Sequence, residues 1–375
     1  MDLELSDEEA ALRDNVRSVL AGIAPVSVVR AVYDGGAPPA DLWAQMVELG
    51  WPALAISERQ GGLGLGFVEL ALVAEELGRA VVPCPLLATA TQFAPALREL
   101  GGTNYLPPVA AGTLTGTVAL AERGSWNLDA VRTSARRAGR GWVLDGHKTG
   151  VLDADTADEL VVVASTEVGL AAFVVPQEAT VSTASIGLDP TCPNGEIRLF
   201  GVEIDDDRLL GEPGSPQVES GLRRSMEEAA VAMAASTVGA CRKIFEATVE
   251  YSKLREQYGR PIGSFQALKH RMVDMYLSVE RATALVYYAA LTIAEDAPNR
   301  SIAAAAAKAA AGDCQRLVAE EGLQLHGGIG YTWEHDLHFW LKRAKVGDVL
   351  FGNAIAQRAI LAGLLGITAR QEVAA

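Results

Sequence analysis

A double change of hydrophobic periodicity restricts this chain more than any other feature. Residues up to about 110 carry helical spacing, short β-rich runs occupy Gly116 to about Leu210, and helical spacing then returns. Strands and helices alternating one by one would build a doubly wound sheet, whereas a block of strands between two blocks of helices points to an α+β multidomain chain. With 375 residues the chain also exceeds what one core usually organises. The expected division is an N-terminal helical domain over 1–112, a middle β domain over 113–215 and a C-terminal helical bundle over 216–375.

Local signals support each block. Ser6 before Asp7, Glu8 and Glu9 is a capping signal with acids at the positive end of a helix dipole. Leu42, Met46 and Leu49 share one face of a second helix that Gly50 ends, and a third spans roughly Val68 to Leu77. The loop Gly61-Gly62-Leu63-Gly64-Leu65-Gly66 reads as a turn, because no strand leads into it and no Lys follows. Strands are expected at Thr117–Leu120, Trp142–Leu144, Leu160–Ala164, Ala171–Val175 and Ile197–Val202, with Asp145-Gly146 as a hairpin turn. Long helices follow near Leu222–Leu254, Phe265–Glu295 and Ile302–Leu323, the second with Leu268, Met272, Met275, Val279, Ala282, Val286 and Ala289 in one stripe.

Charge and cysteine usage remove several function classes. A net charge of −15 repels phosphate backbones and anionic lipid, so neither nucleic acid nor membrane is an expected partner. Cys84, Cys192, Cys241 and Cys314 lie far apart with no CxxC pair, which suits a reducing compartment. His335 and His338 could face one side of a helix, but no carboxylate cluster completes a site, so no metal is expected. The acidic start lacks the basic and apolar segments of a signal peptide, and no apolar stretch of about 18 residues occurs. The expected location is the cytoplasm.

Two long segments resemble the acyl-CoA dehydrogenase family: YSKLREQYGRPIGSFQALKHRMVDM at 251–275 and EGLQLHGGIGYTWEHDLHFWLKR at 321–343. GWVLDGHKTGVLDADTADELVVVA at 141–164 resembles the start of that family's β domain. The likeness covers essentially the whole chain. It implies an N-terminal helical domain, a middle β domain and a C-terminal four-helix bundle, in a flavoenzyme, usually a tetramer, that desaturates a CoA thioester using FAD. A carboxylate takes the proton α to the carbonyl while the β-hydrogen leaves as hydride to the flavin, and electron-transfer flavoprotein is the implied acceptor.

The same resemblance assigns residues. Arg255 would meet the FAD pyrophosphate, with Gln257, Tyr258 and Gln266 nearby, since a planar guanidinium suits two adjacent phosphates. Gln324, Gly327 and Gly328 match a QxxGGxG segment where bare backbone approaches the cofactor. The ring-framing half departs from the pattern. Leu120-Ala121-Glu122-Arg123-Gly124-Ser125-Trp126-Asn127 stands for an LTEPxxGSD-like loop, and Gly150 and Leu152 replace the aromatic and hydroxyl of W-[IV]-[TS]. The usual base position falls on Phe351 in Leu350-Phe351-Gly352, and the alternative helical one on Ala229, beside candidates Glu227 and Glu228.

Three readings follow from this asymmetry. The chain is one half of a heteromeric α2β2 enzyme, similar to bacterial dehydrogenases of bulky steroid side-chain thioesters, whose second chain brings the base. Alternatively it is a self-sufficient homotetramer using Glu228 or Glu227, or a non-catalytic binding or scaffolding protein on the same fold.

Overall fold

A computed structural model describes residues 4–184 and 187–367. Helices α1 (Asp7–Ile23), α2 (Val26–Tyr33), α3 (Leu42–Glu48), α4 (Phe67–Ala80), α5 (Leu86–Ala88), α6 (Ala94–Leu100) and α7 (Leu106–Ala110) come first. Strands β1 (Gly116–Ala119), β2 (Ser134–Ala138), β3 (Gly141–Leu152), β4 (Glu159–Thr166), β5 (Gly169–Pro176), β6 (Val181–Ala184), β7 (Asn194–Asp205) and β8 (Leu209–Leu210) follow. The remainder is α8 (Pro216–Leu254), a hairpin of β9 (Glu256–Gln257) and β10 (Arg260–Pro261), α9 (Gln266–Ala294), α10 (Arg300–His326), α11 (Leu337–Val349) and α12 (Ala354–Leu364). This is the α–β–α order read from the sequence. Among the described residues no single helix is long and apolar enough to cross a bilayer.

The start of α1 follows its signal closely. Ser6 Oγ accepts from Glu9 N at 3.2 Å and the Glu9 carboxylate accepts from Ser6 N at 2.7 Å, a reciprocal cap that satisfies two otherwise unpaired donors.

The chain forms two compact units. One comprises Ala31–Leu70 and Pro83–Ala229. Its sheet runs β6-β7-β3-β2-β4-β5-β8, with β1 parallel to β4. Alternation along β4 divides the core: Leu160, Val162 and Ala164 join Trp142, Phe173 and Leu199 in one cluster. Val161 and Val163 join Phe93, Leu97, Leu100 and Leu106 of the helical segment in the other.

The Asp145-Gly146 hairpin expected from sequence does not form; β3 continues through it, with a shift of register against β7 between Leu144 and Gly146. The turn lies at Gly139-Arg140, where Gly139 takes φ +59° between β2 and β3. Gly146 serves a different need, since a Cβ there would lie 2.3 Å from Thr133 Oγ1. Asp145 instead accepts from Gly201 N at 2.7 Å.

The other unit comprises the segments up to Arg30, Ala71–Val82 and the chain from Ala230 on. Within it α10 packs against α9, α11 and α12. Its run of alanines from Ala303 to Ala311 presents little bulk, so neighbouring helices come close. The α4 and α8 backbones approach closely too: a Cβ on Gly78 would lie 1.9 Å from Ser236 O, and one on Gly239 1.9 Å from Glu75 O. In the stripe of α9, Met275, Val279, Ala282, Val286 and Ala289 are buried, whereas Leu268 and Met272 are half-buried.

Candidate functional site

The segments with the strongest family likeness meet at one end of the bundle unit. Arg255 follows the last residue of α8, and its backbone is fixed twice: its N donates to Tyr251 O and its carbonyl accepts from Ile262 N, each at 2.8 Å. Tyr258 (φ +57°) and Gly259 (φ +76°) make the two-residue turn between β9 and β10, the left-handed pair that such hairpins require. Arg255, Gln257, Tyr258 and Gln266 are all exposed, and the Arg255 guanidinium makes no ion pair among the described residues.

The end of α10 is joined to the end of α8 by aromatic contact. Tyr251 stacks on His326 at 4.5 Å between ring centres, and His335 meets the same imidazole edge-on at 5.0 Å. His326 Nδ1 lies 2.7 Å from Gly322 O; a carbonyl only accepts, so Nδ1 carries the hydrogen. Burial lowers the His326 pKa, and nearby His335 adds to this, against the opposing pull of the Gly322 carbonyl. His326 is thus a neutral packing residue in this joint. Next to it Gly327 (φ +64°) and Gly328 face open space, where a Cβ on either would touch nothing within 4 Å. Gln324 is exposed alongside. An unpaired guanidinium and bare glycine backbone on adjoining segments suit a diphosphate, so this end fits the ADP portion of FAD.

The β-domain segment is built differently from its sequence impression. Arg123 (φ +50°) and Gly124 (φ +77°) form a tight turn closed by Glu122 N to Ser125 O at 3.1 Å and Ser125 N to Glu122 O at 2.9 Å. The Glu122 side chain points inward. It accepts from Arg132 N at 2.7 Å, Thr133 N at 2.9 Å and Lys148 Nζ at 2.6 Å, and Lys148 also donates to Leu120 O at 3.2 Å. Burial works to raise the Glu122 carboxyl, yet the Lys148 ammonium and Thr133 amide hold it at about 2. Burial pulls Lys148 down to about 8 against the attraction of Glu122, so both groups are ionised at neutral pH. Sequence reading missed this pair; the available signal was a Glu and a Lys in two strand-end motifs.

Thr149 N donates to Ala121 O at 2.8 Å, tying the loop to β3. Directly after it the pairing of β3 with β7 shifts register between Lys148 and Val151, and Gly150 takes φ +65°. A bulky L-residue would be strained there. Leu152 is buried, and Asp153 (φ +49°) begins a turn. At positions 150 and 152, where the resemblance expects an aromatic and a hydroxyl, the chain has a glycine in a bulge and a buried leucine.

Among the described residues neither Glu227 nor Glu228 is free of interactions. Phe351 is buried in a left-handed turn with φ +59°, followed by Gly352 at +87°. Glu228 is buried and bonded by the Arg98 guanidinium of α6. Burial disfavours the charged Arg98, but Glu228 and Glu99 outweigh it and raise its pKa, so the guanidinium stays charged. Ala229 is buried and Glu227 half-buried. Trp340 donates to Arg79 O at 2.8 Å within the bundle unit. Among the described residues no His, Cys, Asp and Glu group is arranged to hold a metal.

The chain matches acyl-CoA dehydrogenase, N-terminal domain, over residues 6–113 and acyl-CoA dehydrogenase, C-terminal domain, over residues 221–365. It is 36% identical over 343 residues to acyl-CoA dehydrogenase IpdE2 of Mycobacterium tuberculosis, covering 90% of this chain and 91% of that one. The solved glutaryl-coenzyme A dehydrogenase in complex with glutaryl-CoA superposes with a TM-score of 0.91 at 26% identity, over 98% of both chains. A chain of the ChsE4-ChsE5 complex from Mycobacterium tuberculosis gives 0.89 at 27% identity, over 98% of this chain and 100% of that one. The chain belongs to the acyl-CoA dehydrogenase family of FAD-dependent oxidoreductases.

Proposed function

We propose that this chain is one subunit of a heteromeric acyl-CoA dehydrogenase, giving the ADP grip for FAD while a second family chain brings the base and the ring-framing β domain. One observation carries the reading: the position of the family's usual base is a buried phenylalanine, Phe351, in a fixed turn. Glu228 does not replace it readily, because an ion-paired carboxylate must give up Arg98 before it takes a proton.

FAD, when bound, supplies the hydride acceptor for desaturation of the thioester. This chain's residues bind and orient. Arg255 would neutralise the pyrophosphate, with Gln257, Tyr258, Gln266 and Gln324 beside it, and Gly327 and Gly328 would let backbone N–H groups close on the cofactor. The Glu122–Lys148 pair fixes the loop from Leu120 to Asn127. The bulge at Gly150 removes a wall, which supports a bulky acyl group such as a steroid side chain. The likeness to a chain of the two-protein ChsE4-ChsE5 complex supports an α2β2 assembly. Electron-transfer flavoprotein as acceptor and the cytoplasm as location complete the reading.

The test is purification of the chain alone and co-expressed with its candidate second subunit, reading flavin absorbance at roughly 450 nm per chain. A colourless single chain and a yellow complex with one flavin per pair are expected. A yellow chain that oxidises acyl-CoA by itself overturns the proposal in favour of the homotetramer, and a colourless, inactive complex favours the scaffolding reading.

A further inference from the structure

Lys308 is fully buried midway along α10, within the alanine run. A lysine there needs a strong reason, because desolvating an ammonium is costly unless it is hydrogen-bonded. Its Nζ donates to Asp348 O at 2.9 Å and to Gly352 O at 3.0 Å. Asp348 lies in the last turn of α11, whose final carbonyls have no intrahelical partner and carry the negative end of the helix dipole. The two acceptors bracket Val349, Leu350 and Phe351. One of the three carbonyls between them, Phe351 O, accepts from Gln357 Nε2 of α12 at 2.7 Å.

The surroundings hold the same turn. Asp348 Oδ2 accepts from Lys345 Nζ at 2.9 Å and Oδ1 lies 3.4 Å from Ala354 N. Gly312, one turn beyond Lys308 on α10, lets Asp348 in, since a Cβ there would lie 2.4 Å from Asp348 Oδ1 and 2.9 Å from Ala354 Cβ. The turn is worth such bracing because Phe351 sits in the left-handed region, which disfavours a non-glycine residue.

We propose that Lys308 is a positioning residue, whose two hydrogen bonds fix the Leu350–Gly352 turn and so decide where the side chain at position 351 stands. This rests on the reading above that the turn occupies the family's base-presenting position. The clamp acts in either protonation state. Burial brings Lys308 down to about 7, with Asp348 opposing and Lys345 assisting, and the neutral amine still has two N–H donors for two carbonyls. Of the other charged groups on the packed helices, Arg358 of α12 is bonded by Asp313 of α10.

Two variants separate donation from packing. Lys308→Met keeps the apolar stem without donors, and Lys308→Gln keeps donors on a shorter stem. Hydrogen exchange followed by mass spectrometry on the purified protein, in whichever assembly it is obtained, reads the turn without needing catalysis. In Lys308→Met, amides of 349–357 are expected to exchange about tenfold faster or more, with α9 unchanged. Lys308→Gln is expected to recover part of that protection, and the wild-type protection is expected to be the same at pH 6 and pH 8.5. Unchanged exchange in 349–357 for Lys308→Met overturns the proposal, as does a rise spread evenly over the bundle. The stoichiometry of flavin per chain tests the heteromer separately, so the two can fail independently.

Discussion

Glu122→Gln is expected to cost about 3–5 kcal/mol of stability, because removing one partner leaves the Lys148 ammonium buried and uncompensated. Lys148→Met leaves the carboxylate with its two backbone donors, Arg132 N and Thr133 N, and so costs less. The double variant should recover part of the Glu122→Gln loss, the mark of a direct pair in a double-mutant cycle. Chemical denaturation followed by circular dichroism reads all three. The pH dependence has a definite sign. With its folded pKa at about 2, below the ordinary value near 4.3, Glu122 stabilises the fold fully above that ordinary value. That contribution is lost as pH falls towards 2, and the Gln variant should lack this part of the acid transition. An equal acid midpoint for wild type and variant would contradict the assignment.

Arg255→Ala is expected to weaken FAD retention about 10–100-fold in the purified holoprotein, the usual worth of a charge-assisted contact to phosphate. Its guanidinium is exposed and forms no ion pair among the described residues, so the fold should be unaffected. Gel filtration with absorbance at roughly 450 nm separates the outcomes. Loss of yellow colour with unchanged elution is expected, whereas full retention would move the pyrophosphate away from Arg255. Arg255→Lys should recover only part, since a point charge lacks the paired donors.

Much of the architecture was legible because its signals are local. The Ser6 cap, the stop at Gly50 and the apolar stripe of α9 each lie within a few turns of chain. β2 carried no such signal: in Ser134–Ala138 only Ala135 is buried, so hydrophobic alternation is missing. Gly146 resembled a turn residue, but its small size serves contact with Thr133, a neighbour decided by sheet pairing. The same limit applied to the site. Arg255 and the Gly327-Gly328 pair were visible as contiguous motifs, while their juxtaposition depends on the Tyr251–His326 stack across two helices. Glu122 and Lys148 are 26 residues apart, and Lys308 and Gly352 are 44 apart. Such couplings arise only when strands and helices are packed. A lone lysine among alanines gives no hint of which carbonyls it will reach.

In the proposed heteromer this polypeptide contributes no base to proton removal. The rate at which an acyl-CoA substrate bleaches the flavin of the assembled enzyme, when this chain carries both Glu227→Gln and Glu228→Gln, tests this. Arg98 keeps Glu99 as a charged partner and is partly exposed, and glutamine at 228 can still accept its hydrogen bond, so the local fold is kept. A rate within about twofold of wild type is expected. A fall of about 100-fold or more at unchanged flavin content, the scale of a lost general base, would contradict the claim and return the base to this chain.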